Sequence, residues 1–397
     1  MERIAVFNAG SSSIKFAIFD QATEDVLFRG QVENIGVAPR LVVDGPDGEQ
    51  LLQQEWRPSE IDHKSATAVI LKTSIGLLGG KTIHAVGHRV VHGGSQYSAP
   101  VAVDQDVIES LEEFVPLAPL HQPHNIAPIR AIAETAPHIQ QVACFDTSFH
   151  QAQSKLSYMY AVPRALTDSG VRRYGFHGLS YDYVSGRLAD VAPEHCNGRI
   201  IIAHLGNGAS LCAIHNRRSV ATTMGFTAVE GLMMGTRCGA IDPGVILYLL
   251  NDRRMTPNDI ETLIYKESGL LGVSGITSDM RLLRASREPE AAEAISLFIY
   301  RIVREIGSLT AALGGLDGIV FTGGIGQKDA KTRQEVAAGC AWLGAVINDE
   351  ANAAHASRID ARSSKIPMWV VATDEERVIL RQTAMVAGCP SPLPAAA

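Results

Sequence analysis

Two short runs of small polar residues stand out as places where chemistry could occur: Asn8-Ala-Gly-Ser-Ser-Ser-Ile-Lys15 and His204-Leu-Gly-Asn-Gly-Ala-Ser210. Each lies between apolar segments, Ile4–Asn8 with Ile14–Asp20 and Ile200–His204 with Leu211–His215, which reads as a β-hairpin with a tight tip. A tip of Gly, Asn and Ser exposes backbone N–H groups and hydroxyls that can wrap an anion such as a phosphate. Two such tips imply two related half-molecules facing one nucleotide.

Charged residues at strand ends extend that reading. Arg89 and Val91 share one face of the strand pattern Ala85–Val91, opposite His88, Val90 and His92. A cation beside an aliphatic side chain suits a small carboxylic acid, although a surface Arg and a core Val give the same pattern. Asp146 follows the apolar strand Gln141–Phe145, where open α/β sheets often carry functional carboxylates, and it is equally placed to cap a helix. Arg237 closes the glycine-bounded turn Gly231–Arg237, with an ion pair to Asp242 as the structural alternative. His177 sits between Gly175-Phe176 and Gly178, and Glu375 lies in Thr373-Asp-Glu-Glu376, where a capping-box acid is the plain reading. Gly76-Leu-Leu-Gly-Gly-Lys-Thr82 imitates a P-loop but is one residue short and precedes a strand pattern, so it reads as a turn.

The elements that must position these groups alternate as in an α/β protein. Further strand patterns cover Ile83–Val91, Gly318–Thr322 and Pro367–Ala372, and apolar residues from Ile295 to Leu313 recur at helical spacing before Gly314-Gly315. Val43–Glu49 and Ser286–Pro289 read as surface loops, and Cys389–Ala397 as a loose Pro/Ala tail. At 397 residues two domains are expected, with a boundary near Phe149–Ser154 and a final helix, Glu375–Ala387, returning to the first. A net charge of −7 with no basic run argues against a nucleic-acid partner, and no apolar run is long enough to span a membrane. Six widely spaced cysteines argue against a disulfide framework or a zinc site, and no secretory h-region precedes the first strand, so a cytoplasmic location is expected.

Taken in order, the two hairpin tips, His88-Arg-Val-Val-His-Gly-Gly94, Asp146-Thr-Ser-Phe-His150, Arg173-Tyr-Gly-Phe-His-Gly178, Gly231-Leu-Met-Met-Gly-Thr-Arg237, Ser278-Asp-Met-Arg281 and Phe321-Thr-Gly-Gly-Ile-Gly326 resemble the acetate kinase family over nearly the whole chain. The resemblance implies an α/β fold of two ribonuclease-H-like domains of the acetate and sugar kinase, Hsp70 and actin type, with the active site in an interdomain cleft. Residues 1–149, completed by 375–397, would form the first domain, and 150–374 the nucleotide-binding and dimerisation domain. The implied reaction is ATP + acetate ⇌ ADP + acetyl phosphate, with Mg²⁺ (Mn²⁺ as a substitute), by a homodimer. A propionate kinase of the same fold is the near alternative. A nucleotide switch of the actin or Hsp70 kind is the distant one, disfavoured because it needs no carboxylate clamp.

The resemblance also assigns roles. Arg89, Asp146, His177 and Arg237 would be catalytic, with His177 donating to the transferring phosphoryl group and Arg237 a second clamp. Val91, Leu120, Phe176 and Ala228 would line the acyl pocket beside Arg89, and Asn8 and Glu375 would serve the metal. Lys15, His204, Leu205, Gly206, Asn207 and Gly208 would hold phosphates, Asp279, Met280 and Arg281 would flank the adenosine, and Gly324, Ile325, Gly326, Gln327 and Lys328 would pass beneath it. The chain departs from the family pattern at Gln327-Lys328, where an acidic residue and Asn are usual, at Ala228 for a proline, and at Cys238 and Ala240 for Ser and Asp. A loose phosphoryl-transfer state needs cations and donors around its equatorial oxygens, and no nucleophilic side chain if the substrate carboxylate attacks directly.

Overall fold

The computed structural model describes residues 2–389, so most of the tail read at Cys389–Ala397 lies outside the described residues. The chain divides into two compact units, one formed by Met1–Ser148 with Asp374–Ala397 and the other by Phe149–Thr373.

The first unit carries strands β1 (Arg3–Ala9), β2 (Ile14–Asp20), β3 (Val26–Glu33), β4 (Arg40–Asp44), β5 (Gln50–Glu55), β6 (Ala85–Val90), β7 (Val101–Ala102) and β8 (Gln140–Phe145). They form one sheet in the order β5-β4-β3-β2-β1-β6-β8-β7, parallel at β1–β6 and β6–β8 and antiparallel elsewhere. The second unit holds β9 (Ile200–Leu205), β10 (Ala209–His215), β11 (Arg218–Thr222), β12 (Gly318–Thr322) and β13 (Met368–Val370), ordered β11-β10-β9-β12-β13. Here too the hairpin strand β9 runs parallel to β12, and β12 to β13. The series β3-β2-β1-β6-β8 and β11-β10-β9-β12-β13 therefore repeat one topology, and the two similar phrases of the sequence are its two first hairpins.

The central strands read as continuous apolar runs because both faces are covered. On one face of the first sheet, Phe7, Phe16 and Val86 join Ile70 of the helix His63–Leu77 and Ile132 of the helix Gln122–Thr135 in a buried core. The helix Glu375–Val386 covers β6 from the other side. A Cβ at Gly87 would lie 2.1 Å from Thr383 Oγ1 and 2.6 Å from Ile379 Cγ2, so only glycine lets that helix sit so close. In the second unit Tyr181, Val184 and Leu188 of the helix Gly178–Val191 pack against Ile200, Ile202 and Val320. The long helix Pro289–Leu313 is stopped by Gly314 at φ 67°.

Two expectations change. Val43 and Asp44 belong to β4 rather than to a loop, and only the turn from Gly45 to Glu49 is irregular. Cys389 is buried, not part of a loose end. The P-loop imitation is the end of the helix His63–Leu77 followed by Gly79 and Gly80 at positive φ.

Candidate active site

In the first unit, four of the sequence-derived residues meet at the carboxyl ends of parallel strands, where backbone carbonyls give way to side chains. Arg89 on β6 donates from Nη2 and Nε to Asp146, at 2.7 and 3.2 Å, and from Nη1 to Asn8 Oδ1 at 3.2 Å. Glu375, in the first turn of its helix, places Oε2 3.9 Å from Arg89 Nε. Burial opposes the charge on Arg89, but Asp146 and Glu375 outweigh it and hold the guanidinium above its ordinary range. Asp146 is itself 1% exposed. Its carboxylate is paired with the Arg89 guanidinium, which fixes how that side chain is oriented. The capping role expected at Glu375 falls to Asp374, which accepts from Arg377 N, because the acid nearest the helix start has the shorter reach.

Asn8 and Glu375 offer hard oxygen donors of the type Mg²⁺ takes. The one group of three His, Cys or acidic ligand atoms found close together among the described residues is Glu2, His84 and Cys389. It stands at the opposite end of β6 from Arg89, and burial pushes its thiol up to about 12. Lys15 is the exposed residue of β2 and lies close enough to Glu376 to favour its ionised form. Val91 follows the end of β6, and its amide donates to Asn125 Oδ1 while Asn125 Nδ2 donates to Ala9 O. Asn125, which carried no sequence signal, thus ties the first hairpin to the segment behind Arg89. Leu120 is half-buried in the turn before the helix Gln122–Thr135.

The second unit assembles the other set. His177 is the residue preceding the helix Gly178–Val191 and takes a left-handed conformation, φ 59°. The carbonyl just before it, Phe176 O, accepts from buried His150, which fixes the approach to that turn. Phe176 itself is 2% exposed. His177 stacks on His204 with ring centroids 4.3 Å apart. A Cβ at Gly208 would lie 3.2 Å from His177 Nε2 and 3.8 Å from Arg237 Nη1, so the tip of the second hairpin is where imidazole and guanidinium converge. Arg237 donates to Ala228 O at 3.0 Å, while Asp242 caps the helix Pro243–Asn251. Gly235 N donates to Asn207 O, which fastens the Arg237 turn to the hairpin tip.

A cavity of about 590 Å³ opens beside that tip. Gly206, Asn207, Asp279, Met280, Arg281, Gly324, Ile325 and Lys328 line it, as do Ser278, the first residue of the Ser278–Arg281 motif, and Arg284 and Asp329, which sequence reasoning did not name. Asp279 caps the helix Met280–Ala285, and the Arg281 guanidinium holds its carboxyl down to about 2. Arg284 is spent on Glu335 and Asp329. Gly324 to Lys328 form a short helix directly after β12 rather than a bare strand exit. His204, Leu205, Gly208, Gly326 and Gln327 do not line the cavity, and Leu205 is wholly buried. Among the described residues no helix is long and apolar enough to cross a membrane.

The duplicated α/β units have the fold of the acetate and sugar kinase, Hsp70 and actin class, and the chain is a phosphotransferase with a carboxyl acceptor. The comparison with known proteins then narrows the class. The sequence profile of the acetokinase family matches residues 3–381, and the chain belongs to that family. An acetate kinase from Rhodopseudomonas palustris is 51% identical over 385 residues, covering 95% of this chain and 96% of that protein. One from Nitrobacter hamburgensis is 46% identical over 393 residues, with 96% of each covered. Among solved structures, a propionate kinase from Francisella tularensis superposes with a TM-score of 0.91 at 35% identity, covering 97% of this chain and all of that one. Porphyromonas gingivalis acetate kinase gives 0.88 at 39% identity with the same coverage.

Proposed function

We propose that this chain catalyses reversible phosphoryl transfer between ATP and acetate, giving ADP and acetyl phosphate. The observation that carries the reading is the convergence of His177 Nε2 and Arg237 Nη1 on Gly208 at an anion-binding hairpin tip. Loose phosphoryl transfer leaves charge on equatorial oxygens, and a fixed imidazole and guanidinium can answer that charge without reorganising. Arg89, oriented by Asp146, binds the acceptor carboxylate, with Val91, Leu120, Phe176 and Ala228 as apolar surroundings for its methyl group. Lys15 and the 204–208 tip take phosphates, and the cavity at Asp279–Arg281 and Gly324–Lys328 takes the adenosine, for which about 590 Å³ is ample room.

Asn8 and Glu375 would hold Mg²⁺, which, when bound, neutralises charge on the donor phosphates. No side chain acts as nucleophile in this reading, so the carboxylate attacks directly and configuration at phosphorus inverts. Assembly is a homodimer through the second unit. Its helix Pro243–Asn251 has no buried residue yet presents Val245, Leu247 and Tyr248 at 38%, 58% and 50% exposure. The location is cytoplasmic.

Hydroxylamine trapping tests the reading: ATP, Mg²⁺ and acetate should give acetyl hydroxamate in step with ADP. ADP formation alone, unaffected by acetate, would overturn it in favour of a nucleotide switch.

A further inference from the structure

Ser210 is the second residue of β10, just past the second hairpin tip, and its side chain is fully buried. Its hydroxyl stands 2.8 Å from His177 Nδ1 and 2.5 Å from the phenol oxygen of Tyr181, one helical turn after His177. Tyr181 is likewise wholly buried, and burial raises its phenol well above the ordinary value of 10. The phenol therefore keeps its proton. Among the described residues Ser210 Oγ is the hydrogen-bond partner of that phenol, so a Tyr181 that accepted would strand its own O–H in the core.

The direction of the chain of bonds follows from counting protons. Tyr181 donates to Ser210. Ser210 has a second lone pair, but its own buried proton finds its acceptor among the described residues in His177 Nδ1, so the hydroxyl donates there rather than stranding that proton. An imidazole whose Nδ1 accepts carries its proton on Nε2. That nitrogen is the one aimed at Gly208. Ser180 Oγ meets Nδ1 of the stacked His204 at 2.8 Å, so the ring against which His177 lies is held by a hydroxyl in the same way.

We propose that Ser210 and Tyr181 are positioning residues that lock His177 as the Nε2–H tautomer, so that it donates a hydrogen bond to the transferring phosphoryl group. No proton changes hands in this step. With Nδ1 accepting from Ser210, the ring is the neutral Nε2–H form, and it acts as a hydrogen-bond donor rather than as an acid. The inference rests on the proposed role of His177 and adds the device that fixes its proton.

Nitrogen-15 NMR of the full chain labelled at histidine reads the tautomer without any turnover. The expected spectrum has His177 Nδ1 unprotonated and Nε2 protonated; the reverse in the wild-type protein overturns the relay by itself. Tyr181→Phe keeps the ring but frees Ser210 to accept from Nδ1–H, so a mixture of tautomers should appear. Ser210→Ala should do the same. Both variants should lose kcat by on the order of 10- to 100-fold, as outer partners that fix a histidine tautomer do, with KM for acetate little changed. In a His177→Ala background Tyr181→Phe should cost nothing further. An equal loss with and without His177 assigns Tyr181 a packing role and overturns the proposal. Near-normal activity of His177→Ala alone would overturn both the relay and the role of His177 beneath it.

Discussion

Asp146 grips the Nε/Nη2 edge of Arg89, with Oδ2 2.7 Å from Nη2 and both carboxylate oxygens 3.2 Å from Nε. The remaining guanidinium nitrogen, Nη1, is turned to Asn8. A planar fork held this way has one orientation available, so its rotamer entropy is already lost before a substrate carboxylate arrives. Arg237 is held differently, by the carbonyl of Ala228.

Replacing either arginine should therefore act on the chemical step. Arg89→Ala and Arg237→Ala are each expected to lower kcat on the order of 10³-fold, as for other arginines that clamp a phosphoryl group. Steady-state kinetics with ATP and acetate check this. A variant that keeps activity within about tenfold of wild type removes that residue from the mechanism, given the effect such a clamp should have.

Acyl selectivity should respond to Ala228, which stands where the family usually has proline. Trading proline for alanine removes on the order of two methylenes of wall, and one substrate methylene in an apolar pocket is worth roughly 1 kcal/mol. Propionate is thus expected within about tenfold of acetate in kcat/KM, with Ala228→Pro widening the preference for acetate. Comparing acetate, propionate and butyrate on both proteins decides the point. Rejection of propionate by roughly a hundredfold in the natural sequence would refute the widened pocket.

Stability should fall in mild acid. His88, His92 and His150 are buried and their pKa values are lowered from 6.5 to about 4, through burial in each case. A histidine whose folded value is depressed stabilises the fold fully above its unfolded value and loses that contribution as pH falls from about 6.5 toward 4. Between about pH 7.5 and about pH 5.5 each should cost on the order of 1 kcal/mol. Urea unfolding at the two pH values measures the sum. An unchanged midpoint would mean that the three imidazoles are not held neutral.

Legibility of the sequence tracked how local each signal was. The hairpins β1–β2 and β9–β10 were readable because Gly, Asn and Ser interrupt apolar runs, β12 because a strand covered on both faces is apolar throughout, and β6 and β8 from the apolar residues on either side of His88-Arg89 and after Gln141. β5 was not: Gln50-Leu-Leu-Gln-Gln-Glu is an edge strand exposed on both faces, so no period of two survives. β7 has only two residues and no pattern to find. In the site, Arg89 and Asp146 announced themselves as charges closing apolar strands. Asn125 and Ser210 did not, because their partners Val91 and His177 lie 34 and 33 residues away in the chain. Arg284 could have been found, since it shares with Met280 and Arg281 the helix Met280–Ala285 that borders the cavity.

The helix Glu375–Val386 seals the face of β6 at Gly87, yet it is written after the whole of the second unit. A ribosome moving from the amino end releases β1 to β8 first and that helix only after the second unit. The second unit is contiguous and has every residue it needs before the first unit does. The Glu375 that faces Arg89 therefore reaches it only after the whole of the second unit has been synthesised.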